Sequence, residues 1–295
     1  MMYDNLLSIK PVPIEVVTYQ GIPLTFLRLD KIHSIVSGNK YFKLKHNLIE
    51  AVESGYKQVL TFGGAFSNHI AATAHAASLV GLNSTGIIRG EEIGNPTLAF
   101  AKSEGMQLAF IDRATYRNKN EPGYLDSLKN EFEDFYLIPE GGTNALAIKG
   151  TKEIIQLIPG NYKTISCCVG TGGTMAGLIE GSSNDQKILG FSVLKGDWIR
   201  DEVKQWTEKE NWDINIDYHF GGYAKWKQPL IDFINDFRQE TNIPLDPVYN
   251  GKMVYGVVDL IRKDKLNPNY LMIIHSGGLQ GIEGFNQRFG NIIET

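Results

Sequence analysis

The chain has 295 residues, 42% hydrophobic and 21% charged, enough apolar material for a large core in one big or two medium domains. A formal net charge of −4 gives no polybasic footprint and no apolar run has the length of a membrane span, so neither nucleic acid nor membrane is an expected partner. The first ten residues lack a basic stretch followed by a long apolar one, and cytoplasm is the expected compartment.

Short apolar runs alternate with helical periodicity, the pattern of an α/β chain with a mostly parallel sheet. Strands are predicted at 24–29, 58–62, 85–88, 107–111, 135–138, 164–169, 188–193, 214–219 and 270–274. Leu44, Leu48 and Val52 recur at a spacing of four with Ala51 beside them, which predicts a helix over 41–54. The alanine-rich stretch 68–80 reads as a helix stopped by Gly81. Further helices are predicted over 229–239 and through Val254, Val257, Val258 and Ile261. The turn Pro139-Glu140-Gly141-Gly142-Thr143-Asn144 suits a domain border, with a small α/β domain (48–144) inserted into a large one (1–47 and 145–295). Adjacent Cys167 and Cys168 point to opposite faces of a strand, which argues against a mutual disulfide, and they fit no metal spacing.

Strand 164–169 runs into Gly170-Thr171-Gly172-Gly173-Thr174 and then a helix. Glycines at that point let backbone N–H groups converge on an anion where the helix dipole also favours negative charge. The dinucleotide pattern fails because Met175 stands where its third glycine belongs, and no Gly-Lys-Ser/Thr follows for a nucleoside triphosphate. A single phosphate is the better ligand; the bland alternative is a turn that needs only flexibility. Lys40, in Gly38-Asn39-Lys40-Tyr41-Phe42-Lys43, opens a helix. A cation there opposes the dipole, so the placement favours a neutral, nucleophilic amine, although most lysines at helix starts are simply solvated. Lys43 lies near the same helical face and either adds positive charge to the phosphate site or is solvated.

In Gly63-Gly64-Ala65-Phe66-Ser67-Asn68-His69, Ser67 stands where a helix cap belongs, the commonest task for serine. The functional reading gives the loop a carboxylate to bind, with Asn68 donating to a second acceptor. His69 reads as a capping or solvated residue. Tyr249-Asn250-Gly251 would suit a hairpin, but helical periodicity begins at once, so a helix start is preferred. His275-Ser276-Gly277-Gly278 ends a strand and opens the last helix, another backbone-rich pocket at a strand's carboxyl end.

Together and in this order, these segments resemble the pyridoxal-phosphate enzymes that include 1-aminocyclopropane-1-carboxylate deaminase and D-cysteine desulfhydrase. The resemblance spans Ser37 to Gly278. It implies the tryptophan synthase β-like fold, with two open, mostly parallel sheets flanked by helices, a homodimer, and pyridoxal 5'-phosphate as cofactor. It further implies that Lys40 bonds the cofactor's aldehyde and that Lys43 with Gly170, Thr171, Gly172, Gly173 and Thr174 holds its phosphate. Ser67 would meet the substrate carboxylate, Asn68 the ring hydroxyl and Asn250 the pyridine nitrogen, with Ser276 beside it and Tyr249 by the ring. Phe42 departs from the arginine usual before the second lysine. The resemblance gives the deaminases glutamate at position 250 and leucine at 276, and the desulfhydrases small hydroxyl residues at both. Asn250 and Ser276 therefore point to a desulfhydrase that removes sulfide from D-cysteine or a related amino acid, with Lys40 as base. The rivals are the deaminase itself, a nucleotide-binding oxidoreductase using the Gly170 turn, and a cofactor-binding relative without turnover.

Overall fold

The computed structural model describes residues 11–132 and 134–294; the amino-terminal stretch weighed for a secretory signal lies outside them. Two sheets organise the chain. The larger has the order β1-β2-β10-β7-β8-β9, from β1 (Ile14–Tyr19), β2 (Ile22–Arg28), β7 (Thr164–Val169), β8 (Lys187–Ser192), β9 (Trp212–Asn215) and β10 (Leu271–His275). The smaller has the order β5-β4-β3-β6, from β3 (Gln58–Gly64), β4 (Asn83–Arg89), β5 (Gln107–Ile111) and β6 (Tyr136–Ile138). Every pairing is parallel except β1 with β2, a hairpin closed at Gln20 and Gly21 in left-handed conformations (φ 47° and 78°).

The helices are α1 (Asn39–Glu53), α2 (Asn68–Leu79), α3 (Pro96–Ser103), α4 (Arg113–Arg117), α5 (Pro122–Phe132), α6 (Ala145–Lys152), α7 (Gly173–Gly181), α8 (Ile199–Lys204), α9 (Gln228–Thr241), α10 (Asn250–Arg262) and α11 (Gly281–Phe289). One face of the large sheet packs on α1 and α7 through Leu44, Leu48, Cys167, Met175 and Leu178. The other packs on α9, α10 and α11 through Phe26, Cys168, Phe191, Ile234, Phe237 and Val257. Each such side chain, removed from water, contributes roughly 1.5–3 kcal/mol before ordering entropy is counted. The two cysteines thus sit on opposite faces of β7, both buried and free. Both faces of the large sheet being covered, its central strands are mostly apolar, with Thr25, Ser166 and His275 among the buried exceptions.

Two strand expectations need correction. β1 is a further strand, at the sheet edge; up to the buried Tyr19 its side chains alternate between exposed and half-buried, which leaves little apolar signal. The strand expected at 214–219 is Trp212–Asn215 instead, because the Asn215 side chain accepts from the Asp217 N–H at 2.8 Å and turns the chain.

Helix α1 begins against the far end of β10. Gly38 has φ 68°, and a Cβ there would stand 1.8 Å from the Ser276 carbonyl oxygen, so only glycine fits. The next N–H, of Asn39, donates to that same carbonyl at 3.1 Å. This crossing delivers Lys40 to the carboxyl ends of the parallel strands, where sites of α/β proteins gather.

Candidate active site

The carboxyl ends of β3, β7 and β10 and the starts of α1, α2, α7 and α10 come together. Lys40 is the second residue of α1, half-buried, and its Nζ donates to the Gly141 carbonyl at 3.2 Å. Burial lowers its pKa to about 8, with the neighbouring Cys168 acting weakly the other way. Lys43, one helical turn on, is fully buried. Its Nζ donates to the same Gly141 carbonyl at 2.9 Å and to the hydroxyls of Thr143 and Thr171 at 3.0 and 3.3 Å. Burial first, then the Lys40 charge, pushes its pKa well below the usual lysine value. Three neutral acceptors and no carboxylate are an electrostatically incomplete set for a buried cation, and an anion completes it.

The glycine turn supplies the rest of such an anion site. Gly172 is left-handed (φ 81°) and caps α7, whose first N–H groups have no partner within the helix. Asn39 Nδ2 donates to Thr174 Oγ1 at 2.8 Å, which ties the start of α1 to that of α7. Gly170 lies against the Tyr249 ring, 3.3 Å from where its own Cβ would be. The structure therefore brings Lys40, Lys43, Gly170, Thr171, Gly172, Gly173, Thr174 and Tyr249 together.

Opposite them, Ser67 caps α2, its Oγ accepting from the Ile70 N–H at 3.5 Å. Asn68 reaches across to the last turn of the large sheet, donating from Nδ2 to the Gly278 carbonyl at 3.4 Å. Its Oδ1 is buried and has no hydrogen-bond partner among the described residues. An orphaned acceptor of this kind suits a hydroxyl donor such as that of a pyridoxal ring. His69 is buried rather than solvated: one ring nitrogen meets Thr61 Oγ1 at 2.8 Å, and burial holds the imidazole neutral.

Asn250 is wholly buried and fully committed. Its Nδ2 donates to Asp246 Oδ1 and to the Gly277 carbonyl, both at 2.7 Å, and its Oδ1 accepts from the Ser276 N–H at 3.0 Å and Oγ at 3.3 Å. Cys168 Sγ lies 3.1 Å from Ser276 Oγ, and burial pushes its thiol up to about 12, so it is present as S–H. Asp246 stands behind Asn250 with four N–H bonds, from Val248, Tyr249 and both nitrogens of Asn250. Phe42, at the departing position, is buried in the core under α6, where its carbonyl would lie 1.9 Å from a Cβ on Gly150.

Several contributors were not read from the sequence. Gly141 and Thr143 belong to the turn taken only for a border, although its paired glycines (φ 68° and 70°) were a usable signal. Asp246 is a further contributor, and Cys168 is read from the sequence only as a buried strand residue. Tyr223, after another Gly-Gly pair, sets its ring edge-on to Tyr249 at 6.1 Å, which brings the two phenol side chains together.

No protein-family model matches the chain. It is 33% identical to a putative 1-aminocyclopropane-1-carboxylate deaminase of Pyrococcus abyssi, over 89% of this chain and 86% of that protein. It is 30% identical to the bifunctional, mitochondrial D-cysteine desulfhydrase/1-aminocyclopropane-1-carboxylate deaminase of Arabidopsis thaliana, over 92% of this chain and 77% of that one. The crystal structure of an ACC deaminase homologue superposes with a TM-score of 0.85 at 25% identity, covering 99% of both chains. A threonine deaminase of Solanum lycopersicum, 16% identical with a TM-score of 0.66 over 94% of this chain and 83% of its own, shares the fold. With two mostly parallel sheets, two lysines at the mouth of a glycine turn and these relatives, the chain belongs to the 1-aminocyclopropane-1-carboxylate deaminase/D-cysteine desulfhydrase family of pyridoxal-phosphate-dependent enzymes.

Proposed function

We propose that the chain is a lyase of the D-cysteine desulfhydrase type, converting D-cysteine and water to pyruvate, ammonia and sulfide. The observation that carries this reading is Asn250 itself, a wholly buried neutral amide where the deaminases are expected to carry a carboxylate. Both of its amide hydrogens are spent on Asp246 and Gly277, and the remaining polar neighbours are a hydroxyl and a thiol. The family resemblance sets the pyridine nitrogen against this group. No carboxylate is available there to keep that nitrogen protonated, because Asp246 is fully engaged behind the amide. Opening a cyclopropane ring that has no α-proton demands a strong electron sink; expelling a β-thiol after α-proton removal demands less.

Pyridoxal phosphate, when bound, supplies the electron sink that lets a bond beside the amino group break. The chain's own residues do the rest. Lys43, Thr171 and the start of α7 hold the phosphate, and Asn68 Oδ1 takes the ring hydroxyl. Ser67 and the start of α2 receive the substrate carboxylate. Lys40, with its low pKa, accepts the α-proton near neutral pH. The Tyr249–Tyr223 pair would pass a proton to the departing sulfur.

Assaying both amino acids side by side tests the assignment. The expected kcat/KM for D-cysteine exceeds that for the cyclopropane amino acid by at least about 100-fold, about 2.7 kcal/mol of transition-state stabilisation. The reverse ranking makes the chain a true deaminase; cofactor uptake with no turnover of either makes it a binding protein. The homodimer, and the cytoplasmic location expected from the sequence, belong to the same reading. Light scattering should return twice the 32.9 kDa chain mass, and a single chain mass would remove the dimer.

A further inference from the structure

One buried lysine takes no part in the chemistry above. Lys252 lies two residues after Asn250 on α10 and is 1% exposed. No carboxylate bonds its ammonium among the described residues. Its Nζ donates instead to two backbone carbonyls, His219 at 2.9 Å and Gly222 at 2.8 Å. Burial lowers its pKa to about 8 against the raising influence of Asp246, so this amine is desolvated at a cost. A methionine of similar length would fill the same space without that cost, but it could not hold two carbonyls.

Those carbonyls belong to the turn that presents Tyr223. In the five residues 220–224, Phe220, Gly221, Gly222 and Ala224 all have positive φ (53°, 102°, 115° and 52°). Two of these are not glycine, so the turn adopts a conformation that its own backbone disfavours. Its internal bonds are few: Gly222 N–H to the His219 carbonyl, Lys225 N–H to the Gly222 carbonyl, and Gly221 N–H to His219 Nδ1. Tyr223 itself is 44% exposed as a residue, although burial of its phenol end raises its pKa.

What fixes the segment is one face of α10 and its cap. Tyr249 meets Tyr223, Lys252 takes the carbonyls of His219 and Gly222, and Tyr255 sets its ring edge-on to Phe220 at 5.0 Å. One turn further, Asp259 accepts from the Tyr218 hydroxyl at 2.5 Å. These positions follow one another at three- and four-residue steps, the spacing of a single helical face. Lys252 is the one that bonds the backbone next to Tyr223. After burial and Tyr249, the charges of Arg89 and Glu140 also act on the Tyr223 hydroxyl.

We propose that Lys252 is a positioning residue for the reaction: by clamping the 219–222 turn it holds the Tyr223 hydroxyl against that of Tyr249. This rests on the site reading given above, and the test separates the two. Lys252→Met, Tyr223→Phe and the double variant are compared by kcat/KM on whichever of the two amino acids the wild-type enzyme turns over. Lys252→Met alone is expected to lose about 30-fold, yet less than about twofold more when Tyr223 is already phenylalanine, because both changes remove one interaction. Pyridoxal phosphate uptake and its absorption spectrum should stay unchanged. Equal losses in the two backgrounds, or an impaired cofactor spectrum, would overturn the proposal. Should Lys252→Met not fold, Gly222→Ala disturbs the same turn through its φ of 115° alone, since a Cβ there meets nothing closer than 3.7 Å. Hydrogen exchange gives a readout independent of turnover: amides of 219–225 should exchange at least about tenfold faster in either variant, and unchanged protection would sink the idea even if neither amino acid proves to be a substrate.

Discussion

Lys40→Ala is expected to remove turnover by at least about 10³-fold and to abolish covalent retention of pyridoxal phosphate, because one amine both anchors the aldehyde and moves the α-proton. The environment of Lys40 explains why this lysine and not another is suited to the task. An amine with a pKa of about 8 is neutral in roughly one molecule in ten at pH 7, some 300-fold more often than an ordinary lysine. Only the neutral form adds to an aldehyde, so the rate of cofactor uptake by the apoprotein should rise about tenfold per pH unit below 8 and level off above it. An uptake rate still climbing at pH 10 would mean that the responsible amine is not this one. Free amines added to the Lys40→Ala protein should restore part of the proton transfer, whereas a merely misfolded variant would not respond.

The second large effect is expected at Lys43, and it has opposite signs in the two forms of the protein. Lys43 is a buried ammonium whose recorded partners are one carbonyl and two hydroxyls. With a phosphate beside it, the ammonium gains a charge-assisted partner where little water competes, and Lys43→Met should weaken pyridoxal phosphate binding by about 100-fold, about 2.7 kcal/mol. In the apoprotein the same substitution removes an unneutralised charge from the interior. Thr143 and Thr171 keep each other as partners at 2.7 Å, so thermal stability should hold or rise. Equilibrium binding of the cofactor and apoprotein melting, measured on the same preparation, check both signs. A variant that loses apoprotein stability while keeping full cofactor affinity would show that Lys43 is only a structural donor.

Local chemistry was legible in the sequence where one short segment contains it. The helix over α1, the Ser67 cap, the Gly170–Thr174 turn and the helix start at Asn250 follow from spacing, glycine placement and capping preferences within a few residues. The parallel α/β class followed from the alternation of apolar runs with helical periodicity. The edge strand β1 escaped because, up to Tyr19, its inward face is only half-buried. What could not be read is convergence. The Gly141 carbonyl that takes both lysines lies about a hundred residues from them, and the Cys168–Ser276 contact joins two strands that are distant in the chain. Gly222 and Lys252 meet only because α10 packs along the turn after β9. No periodicity encodes such pairs, though the Gly-Gly doublets at 141–142 and 221–222 mark the places where the backbone bends into the site.

The most direct test of the account is borohydride reduction of the pyridoxal-phosphate-loaded protein followed by peptide mapping. The expected result is a single phosphopyridoxyl group on Lys40, in Gly38-Asn39-Lys40-Tyr41-Phe42. The same label on Lys43, on Lys252 or on a surface lysine, or no label at all, would contradict it.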